Sequence, residues 1–303
     1  MSLYSLITPK AFSELLHRNT GKRIVPVDAT WYMADKERDL AKKEFMELER
    51  IHNAIFFDID VFMDQKSPYP HMLPSLETFN EEMGKLGIRE DDILVVYDRC
   101  SNFSASRAAW ELTTLGHETV FLLTGLNAYK EEGYPLDITQ VDSVTPYEPT
   151  SYTSCTSHAK EQVITYEELH HLVETGEIKH YNFFDMRTLP RFLGEAPDPR
   201  PGVPSGHVPG AQPMPYAEVL EGGNYSNTVE GIQSRIAASL SEHGTRLDCS
   251  KHSIVMCGSG VTACTVKTAF EACGYVPVRL YDGSWSEWGR RAEPRYIAIG
   301  RDW

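Results

Sequence analysis

The sequence repeats one pattern of residues, and this repetition constrains the fold more than any other feature. Three pairs of residues at the edges of apolar runs recur at spacings of 157 or 159 positions: Asp28 with Asp185, Ala54 with Ala211, and Asp98 with Cys257. Repetition at this period indicates a duplicated domain, and 303 residues suit two domains that each bury a core. We predict a first domain over 1–136, a linker rich in Ser, Thr and Pro over 137–160, and a second domain over 161–303.

Short apolar runs alternate with helical patterns in both copies. The runs are rich in β-branched or aromatic residues, as strands are. This alternation predicts an α/β fold in which each domain has a mostly parallel sheet with helices on both faces. The predicted strands cover residues 24–29, 54–59, 93–97 and 119–123 in the first copy, and 183–185, 211–213, 253–256 and 278–281 in the second. The predicted helices include 74–86, 105–115, 166–174 and 262–272.

A cysteine followed by two closely spaced glycines ends the apolar run 253–256. Gly258 and Gly260 allow a tight curl of the backbone after Cys257, because glycine accepts a positive φ at little cost. The helix predicted over 262–272 begins directly afterwards, so the sulfur would lie at a helix N-terminus, where negative charge is favoured. Such a position lowers the pKa of a thiol and supplies a reactive thiolate. A buried core cysteine is the alternative, and the glycine-bracketed curl favours a nucleophile over it.

The segment from Cys257 to Ala263 resembles the active-site loop of the rhodanese superfamily, in its mercaptopyruvate sulfurtransferase form. Rhodaneses that prefer thiosulfate usually carry two basic residues after the cysteine, and here Gly258 and Ser259 follow it. Cysteine phosphatases of the same superfamily need an arginine six positions after the cysteine to bind phosphate. Because that position is Ala263, a phosphatase is disfavoured.

Further motifs extend the resemblance over nearly the whole chain. They are Val-Asp-Ala-Thr-Trp-Tyr at 27–32, Phe-Phe-Asp-Ile-Asp at 56–60, Ser-Pro-Tyr-Pro-His-Met-Leu-Pro at 67–74, Gly-His-Val-Pro-Gly-Ala at 206–211 and Tyr-Asp-Gly-Ser-Trp-Ser-Glu-Trp at 281–288. Their order resembles the fungal tandem-rhodanese sulfurtransferases associated with tRNA thiouridine modification. The resemblance implies two rhodanese-like domains, of which the first is non-catalytic because Asp98 replaces the cysteine.

The resemblance also implies a set of site residues. Cys257 would take sulfur from 3-mercaptopyruvate as a persulfide and release pyruvate, and it would use thiosulfate less well. Arg191 and Arg200 would bind the carboxylate and ketone end of the donor, although pairing with Glu195 and Asp198 as ordinary loop arginines is an alternative that stays open. The loop residues that would contact the donor are Gly258, Gly260, Val261 and Thr262. The residues that would move a proton are Ser259 in this loop and His71 and Asp60 in the other domain, which would put the site between the domains.

The net charge and the cysteine content of the chain limit the kinds of partner and ligand that it is expected to bind. The net charge of −14, from 43 acidic residues against 29 Lys and Arg, argues against direct binding of nucleic acid. No apolar run reaches the length of a membrane span. The six cysteines form no Cys-x-x-Cys pair, which indicates reduced thiols and no zinc or other metal site. No cofactor is expected.

The compartment and the acceptor are predicted less directly. The first ten residues lack the apolar core of a secretory signal and favour the start of a folded domain, so we expect a cytoplasmic protein, with mitochondrial import as the open alternative. The resemblance implies thiol acceptors such as thioredoxin or glutathione, or a rhodanese-domain activating enzyme of a ubiquitin-like sulfur carrier that feeds 2-thiolation of tRNA wobble uridines. Two alternatives remain: a docking module without catalysis, and an enzyme of cysteine catabolism with no role in tRNA.

Overall fold

A computed structural model describes residues 2–33 and 39–301 of the chain. The strands described in the first half are β1 (Ser5–Ile7), β2 (Ile24–Asp28), β3 (Ile55–Phe56), β4 (Ile93–Tyr97) and β5 (Val120–Leu123). The helices described there are α1 (Pro9–His17), α2 (Leu40–Glu47), α3 (Leu76–Lys85), α4 (Ala105–Thr114) and α5 (Leu126–Glu131).

The second half repeats this plan. Its strands are β6 (Val163–Ile164), β7 (Asn182–Asp185), β8 (Gln212–Pro213), β9 (Ser253–Met256) and β10 (Val278–Tyr281). Its helices are α6 (Ala159–Gln162), α7 (Tyr166–Thr175), α8 (Leu189–Leu193), α9 (Val229–His243), α10 (Ala263–Ala272) and α11 (Ser284–Arg291).

Both sheets are parallel throughout and have the same topology. The strand order is β1-β5-β4-β2-β3 in the first sheet and β6-β10-β9-β7-β8 in the second. Each sheet therefore places its fourth strand, β4 or β9, at the centre. The residue that follows this strand is Asp98 in one sheet and Cys257 in the other. The predicted α/β fold, with two domains that each have a parallel sheet and helices, is confirmed, and the duplication places the two residues at equivalent points.

Local sequence accounts for the limits of several elements. Thr165 and Glu168 form a reciprocal capping box at the start of α7, as the sequence predicts. The strand predicted over 54–59 is wrong beyond residue 56, because the side chain of Asp58 accepts the backbone N–H of Asp60 at 2.9 Å and turns the chain out of the sheet. This turn leaves Asp60 at the carboxyl edge of the first sheet.

The segment 137–160 runs over the first domain. Its backbone N–H at Thr150 donates to the carbonyl of Gly84, and Tyr152 is buried against Phe79. Helix α4 of the first domain and α10 of the second pack against one another, so that the largest apolar cluster includes residues of both domains. No helix in the described ranges is long and apolar enough to cross a membrane.

Candidate active site between the two domains

Cys257 lies at the end of β9, at a cavity of about 270 Å³ between the two domains. Its side chain is buried, with 2% of its surface exposed. The first domain contributes apolar side chains to the lining, and the second contributes the cysteine loop and a group of arginines. The lining residues are Trp31, Met33 and Phe103 from the first domain, and Met186, Arg187, Thr188, Arg191, Arg200, Pro215, Tyr216, Ala217, Cys257, Gly258, Ser259, Val261 and Thr262 from the second.

Two carbonyl groups at the start of the cysteine loop accept hydrogen bonds from residues of α11. The carbonyl of Cys257 accepts the N–H of Trp285 at 3.0 Å, and that of Gly258 accepts both the N–H and the hydroxyl of Ser286. By contrast, the backbone N–H groups of residues 258–262 donate no hydrogen bond to any group in the described ranges. These N–H groups precede α10 and are available to a negatively charged ligand.

The first copy shows what such a loop can bind. The carboxylate of Asp98, at the position equivalent to Cys257, accepts the backbone N–H groups of Cys100, Asn102, Ser104 and Ala105 at 2.7–3.0 Å. Burial raises the pKa of Asp98, yet each of its oxygens accepts two N–H groups, an arrangement that favours the ionised form. The first loop thus binds an anion that is part of its own chain.

Arg191 and Arg200 contact the cysteine loop from the other side of the cavity. Both guanidinium groups pair with Asp198, at 2.5 Å from Arg191 and 3.3 Å from Arg200. A Cβ placed on Gly258 would lie 3.0 Å from Arg200 and 3.4 Å from Arg191, so a larger residue at Gly258 would require both guanidinium groups to shift. Burial opposes the charge on Asp198, but the backbone N–H of Arg200 and the guanidinium of Arg191 hold its pKa below the usual value.

The two interpretations of Arg191 and Arg200, as donor-binding residues and as ordinary loop arginines, each account for part of their contacts. They pair with Asp198, as ordinary loop arginines would, and they also line the cavity beside Cys257. Each keeps about a fifth of its side chain exposed. The Nε of Arg191 is buried and has no partner among the described residues. An anionic ligand in the cavity would meet two guanidinium groups whose positions Asp198 already fixes.

A histidine of the first domain reaches the cysteine loop. His71 Nδ1 lies 3.0 Å from Ser259 Oγ, and His71 Nε2 lies 3.1 Å from Asp60 Oδ1. The other oxygen of Asp60 accepts the indole N–H of Trp31 at 2.9 Å, and the Trp31 ring meets the imidazole edge to face. The backbone N–H of Trp31 donates in turn to Ser104 Oγ at 3.1 Å. The hydroxyl, imidazole and carboxylate form one chain, which is the arrangement that proton transfer requires.

The structure brings the residues proposed from the sequence to one place, with differences in detail. The side chains of His71 and Asp60 lie behind Ser259 rather than on the lining of the cavity. Gly260, expected to contact the donor, is also absent from the lining. Its φ is +78°, and a Cβ there would lie 2.8 Å from the carbonyl of Asp282. Gly260 therefore permits the turn of the loop and its close approach to Asp282.

Sequence reasoning assigned no role to other residues that the structure places near the site or in the core behind it. Trp31 donates a hydrogen bond to Asp60, but the sequence marks it only as one residue of the motif at 27–32. Arg107 is fully buried at the domain interface. The only indication of its role in the sequence is that it is a charged residue in a helix that lacks a polar face. Trp285 and Trp288, in the motif at 281–288, lie in the apolar core of the second domain, where each indole N–H donates to a backbone carbonyl.

Comparisons with known proteins agree with this geometry. A family model described as a rhodanese-like domain matches residues 9–132 and 165–291. Thiosulfate sulfurtransferase TUM1 of Saccharomyces cerevisiae is 47% identical over 305 residues, which cover 100% of both chains. A probable 3-mercaptopyruvate sulfurtransferase of Schizosaccharomyces pombe is 36% identical over 276 residues, covering 91% of this chain and 89% of the relative. The crystal structure of the Saccharomyces cerevisiae Tum1 protein has a TM-score of 0.96 to this chain at 46% identity, covering 100% of both.

Proposed function

The chain belongs to the rhodanese family as a tandem-domain sulfurtransferase, and we propose that it takes sulfur from 3-mercaptopyruvate through a persulfide on Cys257. The observation that carries this proposal is that Cys257 and the Arg191–Asp198–Arg200 group share one cavity. A nucleophile beside two fixed guanidinium groups suits a donor that carries its sulfur close to a carboxylate and a ketone.

The first step forms the persulfide. The thiolate of Cys257 attacks the sulfur of the donor, and a sulfur–sulfur bond forms while the bond between that sulfur and C3 of the donor breaks. The electron pair of the broken bond stays on the organic fragment, which becomes the enolate of pyruvate. Arg191 and Arg200 bind the carboxylate and the enolate oxygen, where negative charge develops. The free N–H groups of residues 258–262 stabilise the charge on sulfur.

A proton must then reach C3 to give pyruvate. Ser259 donates it and is reprotonated by His71, whose other nitrogen is held by Asp60 at 3.1 Å. The new persulfide releases the proton that the donor thiol had carried. The step therefore converts a cysteine thiolate and mercaptopyruvate into a persulfide anion and pyruvate, with no net gain or loss of protons.

The second step passes the sulfur on. The acceptor thiol gives its proton to the persulfide anion, and the acceptor thiolate then attacks the outer sulfur of the protonated persulfide while the sulfur–sulfur bond to Cys257 breaks. The acceptor becomes a persulfide, and Cys257 leaves as the thiolate with which the cycle began. Thioredoxin, glutathione and a cysteine of another sulfur-carrying protein all supply the required thiolate.

Donor choice follows from the position of the positive charge. The lining of the cavity includes Arg191 and Arg200, which would bind the carboxylate of a donor. The two residues after Cys257, Gly258 and Ser259, carry no charge. Thiosulfate is a dianion whose sulfonate end lies next to the transferred sulfur, and it gains from cations on the loop itself. We therefore propose that kcat/KM is higher for mercaptopyruvate than for thiosulfate.

Mass spectrometry tests the proposal directly. The purified protein is exposed to 3-mercaptopyruvate without an acceptor, then digested and analysed for the peptide that contains Cys257. We expect the mass of one extra sulfur atom on that peptide and one pyruvate released for each modified site. Pyruvate release without modification of Cys257, or no reaction with mercaptopyruvate or thiosulfate, would contradict the proposal.

We propose further that the acceptor in the cell is a protein of a sulfur relay that serves tRNA thiolation. The resemblance to fungal thiouridine-modification proteins favours this destination, and the net charge of −14 favours delivery through a protein rather than directly to tRNA. Deletion of the gene should lower 2-thiouridine in tRNA, and a Cys257→Ser copy should fail to restore it. Unchanged 2-thiouridine in the deletion strain would confine the enzyme to catabolism of cysteine and mercaptopyruvate.

A further inference from the structure

We propose that Arg107, on α4 of the first domain, is a positioning residue that fixes His71 against Ser259 across the domain interface. This inference rests on the proposed function, because it concerns the proton that the release of pyruvate requires. It assigns no contact with the donor to Arg107 and no transfer of a proton through it.

One guanidinium group joins three separate segments. Arg107 Nη1 lies 2.5 Å from Asp282 Oδ1, in the second domain, while Nη2 donates to the backbone carbonyl of His71 in the first. A Cβ on Gly260 would lie 3.0 Å from the same Nη1, so the guanidinium also packs against the cysteine loop. Arg107 is fully buried, and a buried cation requires partners of this kind.

The backbone at His71 needs such support. His71 has a φ of +61°, a left-handed conformation that residues other than glycine adopt at a cost in free energy. Its carbonyl is held by Arg107, its N–H donates to the sulfur of Met63, and the N–H of Leu73 donates to Asp282 Oδ2 at 2.8 Å. The Arg107–Asp282 pair thus binds the 71–73 turn at two points, and this turn sets the direction in which the imidazole projects.

Arginine suits this role better than lysine would. Its planar fork presents two N–H groups in fixed directions, one toward Asp282 and one toward the His71 carbonyl. A lysine offers a single charged nitrogen on a flexible stem. Arg107→Lys therefore keeps a cation in the interface while it removes the simultaneous contact with both groups.

Displacement of the His71 side chain should slow the protonation of the pyruvate enolate more than any other step. Pyruvate leaves as an enolate that must be protonated, so its release depends on the Ser259–His71 chain. Sulfite leaves thiosulfate as a stable anion and needs no proton at the same point. Loss of Arg107 should therefore lower kcat with mercaptopyruvate, change its KM little because Arg191 and Arg200 still bind the donor, and affect thiosulfate turnover much less.

The experiment compares three variants at the interface with a matched control. Arg107→Lys, Arg107→Met and Asp282→Asn test the pair, and Lys267→Met removes a cation that is equally buried but binds Glu271 and the carbonyl of Val278 instead. Folding is checked by circular dichroism and thermal unfolding. Steady-state rates are measured with mercaptopyruvate, following pyruvate, and with thiosulfate and cyanide, following thiocyanate.

We expect folded Arg107→Lys and Asp282→Asn to lose ten- to a hundred-fold in kcat with mercaptopyruvate, with KM within about threefold and thiosulfate turnover within about threefold of the wild type. Lys267→Met should keep the wild-type ratio of the two activities. The proposal is overturned if kcat is unchanged in the folded variants, or if both donors lose equally. If Arg107→Met does not fold, the two conservative variants decide. A wild-type enzyme that releases no pyruvate would instead overturn the proposed function.

Discussion

His71 Nδ1 lies 3.0 Å from Ser259 Oγ, although 188 positions of the chain separate the two residues. The imidazole belongs to the domain that has Asp98 at the position of the cysteine, and the hydroxyl belongs to the domain that has Cys257. Neither domain holds the full chain of hydroxyl, imidazole and carboxylate, so the proposed delivery of a proton depends on the docking of the two domains.

The first prediction concerns this histidine. His71→Gln keeps a polar side chain of similar size but cannot supply a proton, so release of pyruvate should fall by about 10²- to 10⁴-fold in kcat. Turnover of thiosulfate with cyanide should fall much less, since sulfite leaves without a proton. Parallel assays with the two donors check this prediction, and an equal loss with both would contradict the assignment of His71.

The nucleophile is tested by Cys257→Ser. A hydroxyl has no accessible anion at neutral pH, so we expect no persulfide and no measurable release of pyruvate. Cys249→Ser changes an exposed thiol and serves as the control, with wild-type turnover expected. Substantial turnover by Cys257→Ser would point to Cys264 or Cys100. Burial raises the pKa of both of these thiols, which makes them poor substitutes.

Removal of either arginine of the lining should weaken use of the donor. A hydrogen bond to a charged group contributes about 1.5–3 kcal/mol, so Arg191→Ala or Arg200→Ala should lower kcat/KM for mercaptopyruvate by about ten- to a hundred-fold. Arg295→Ala removes an exposed arginine and should leave kcat/KM unchanged. Wild-type kinetics in both lining variants would show that the carboxylate binds elsewhere.

Glu111 gives a prediction about stability and pH. Burial raises the pKa of this carboxyl to about 8, against the pull of the neighbouring Arg107. The unfolded chain loses the same proton near pH 4.3, so the folded protein binds more protons between about pH 4 and pH 8, and stability falls as the pH rises through this range. Glu111→Gln cannot ionise and should make the decline shallower, by about 1 kcal/mol or more between pH 5 and pH 8.

Urea unfolding at a series of pH values measures this effect. Glu132→Gln, at an exposed position, is the control and should keep the wild-type slope of stability against pH. If Glu111→Gln and the wild type have the same slope, Glu111 is ionised in the folded protein throughout the range.

Charge predicts the behaviour of the enzyme toward RNA. With 43 acidic residues against 29 Lys and Arg, long-range repulsion of phosphates should prevent binding of tRNA at physiological salt. Fluorescence anisotropy of labelled tRNA should show no salt-sensitive binding, while persulfide-loaded enzyme should pass labelled sulfur to a partner rhodanese domain. Tight binding of tRNA would contradict delivery through a protein.

Much of the fold could be predicted because its signals are local. The central strands 93–97 and 253–256 end where the apolar runs end, and the capping box of α7 is visible in four residues. Strands β1 and β6, which form one edge of each sheet, were missed, because three and two residues are too few to show a periodicity. The early end of β3 was missed because it depends on a turn at Asp58 rather than on hydrophobicity.

Fewer residues of the candidate site than of the fold could be predicted from local sequence patterns. Cys257 is marked by its own neighbours in sequence, whereas His71 and Asp60 are ordinary loop residues unless a related family is considered. Arg107 gave even less signal, because its contacts with Gly260 and Asp282 exist only when the two domains are docked. Its contact with the His71 carbonyl joins a helix to a loop of the same domain, 36 positions earlier in the chain. A pattern along one helix cannot reveal a partner on another domain.

Asp98 distinguishes the first domain from the second, because its carboxylate permanently occupies the loop that is equivalent to the cysteine loop. The carboxylate of Asp98 fills the loop of the first domain, so we expect the conformation of this loop to be the same whether or not sulfur is bound to Cys257. That loop supports Ser104, which holds the backbone of Trp31, and Trp31 in turn holds Asp60 beside His71. In the proposed cycle, the second domain changes its charge and its occupant at every turnover. We expect the first domain to keep one shape throughout, so that it presents the same proposed proton donor to the empty and to the persulfide-loaded enzyme.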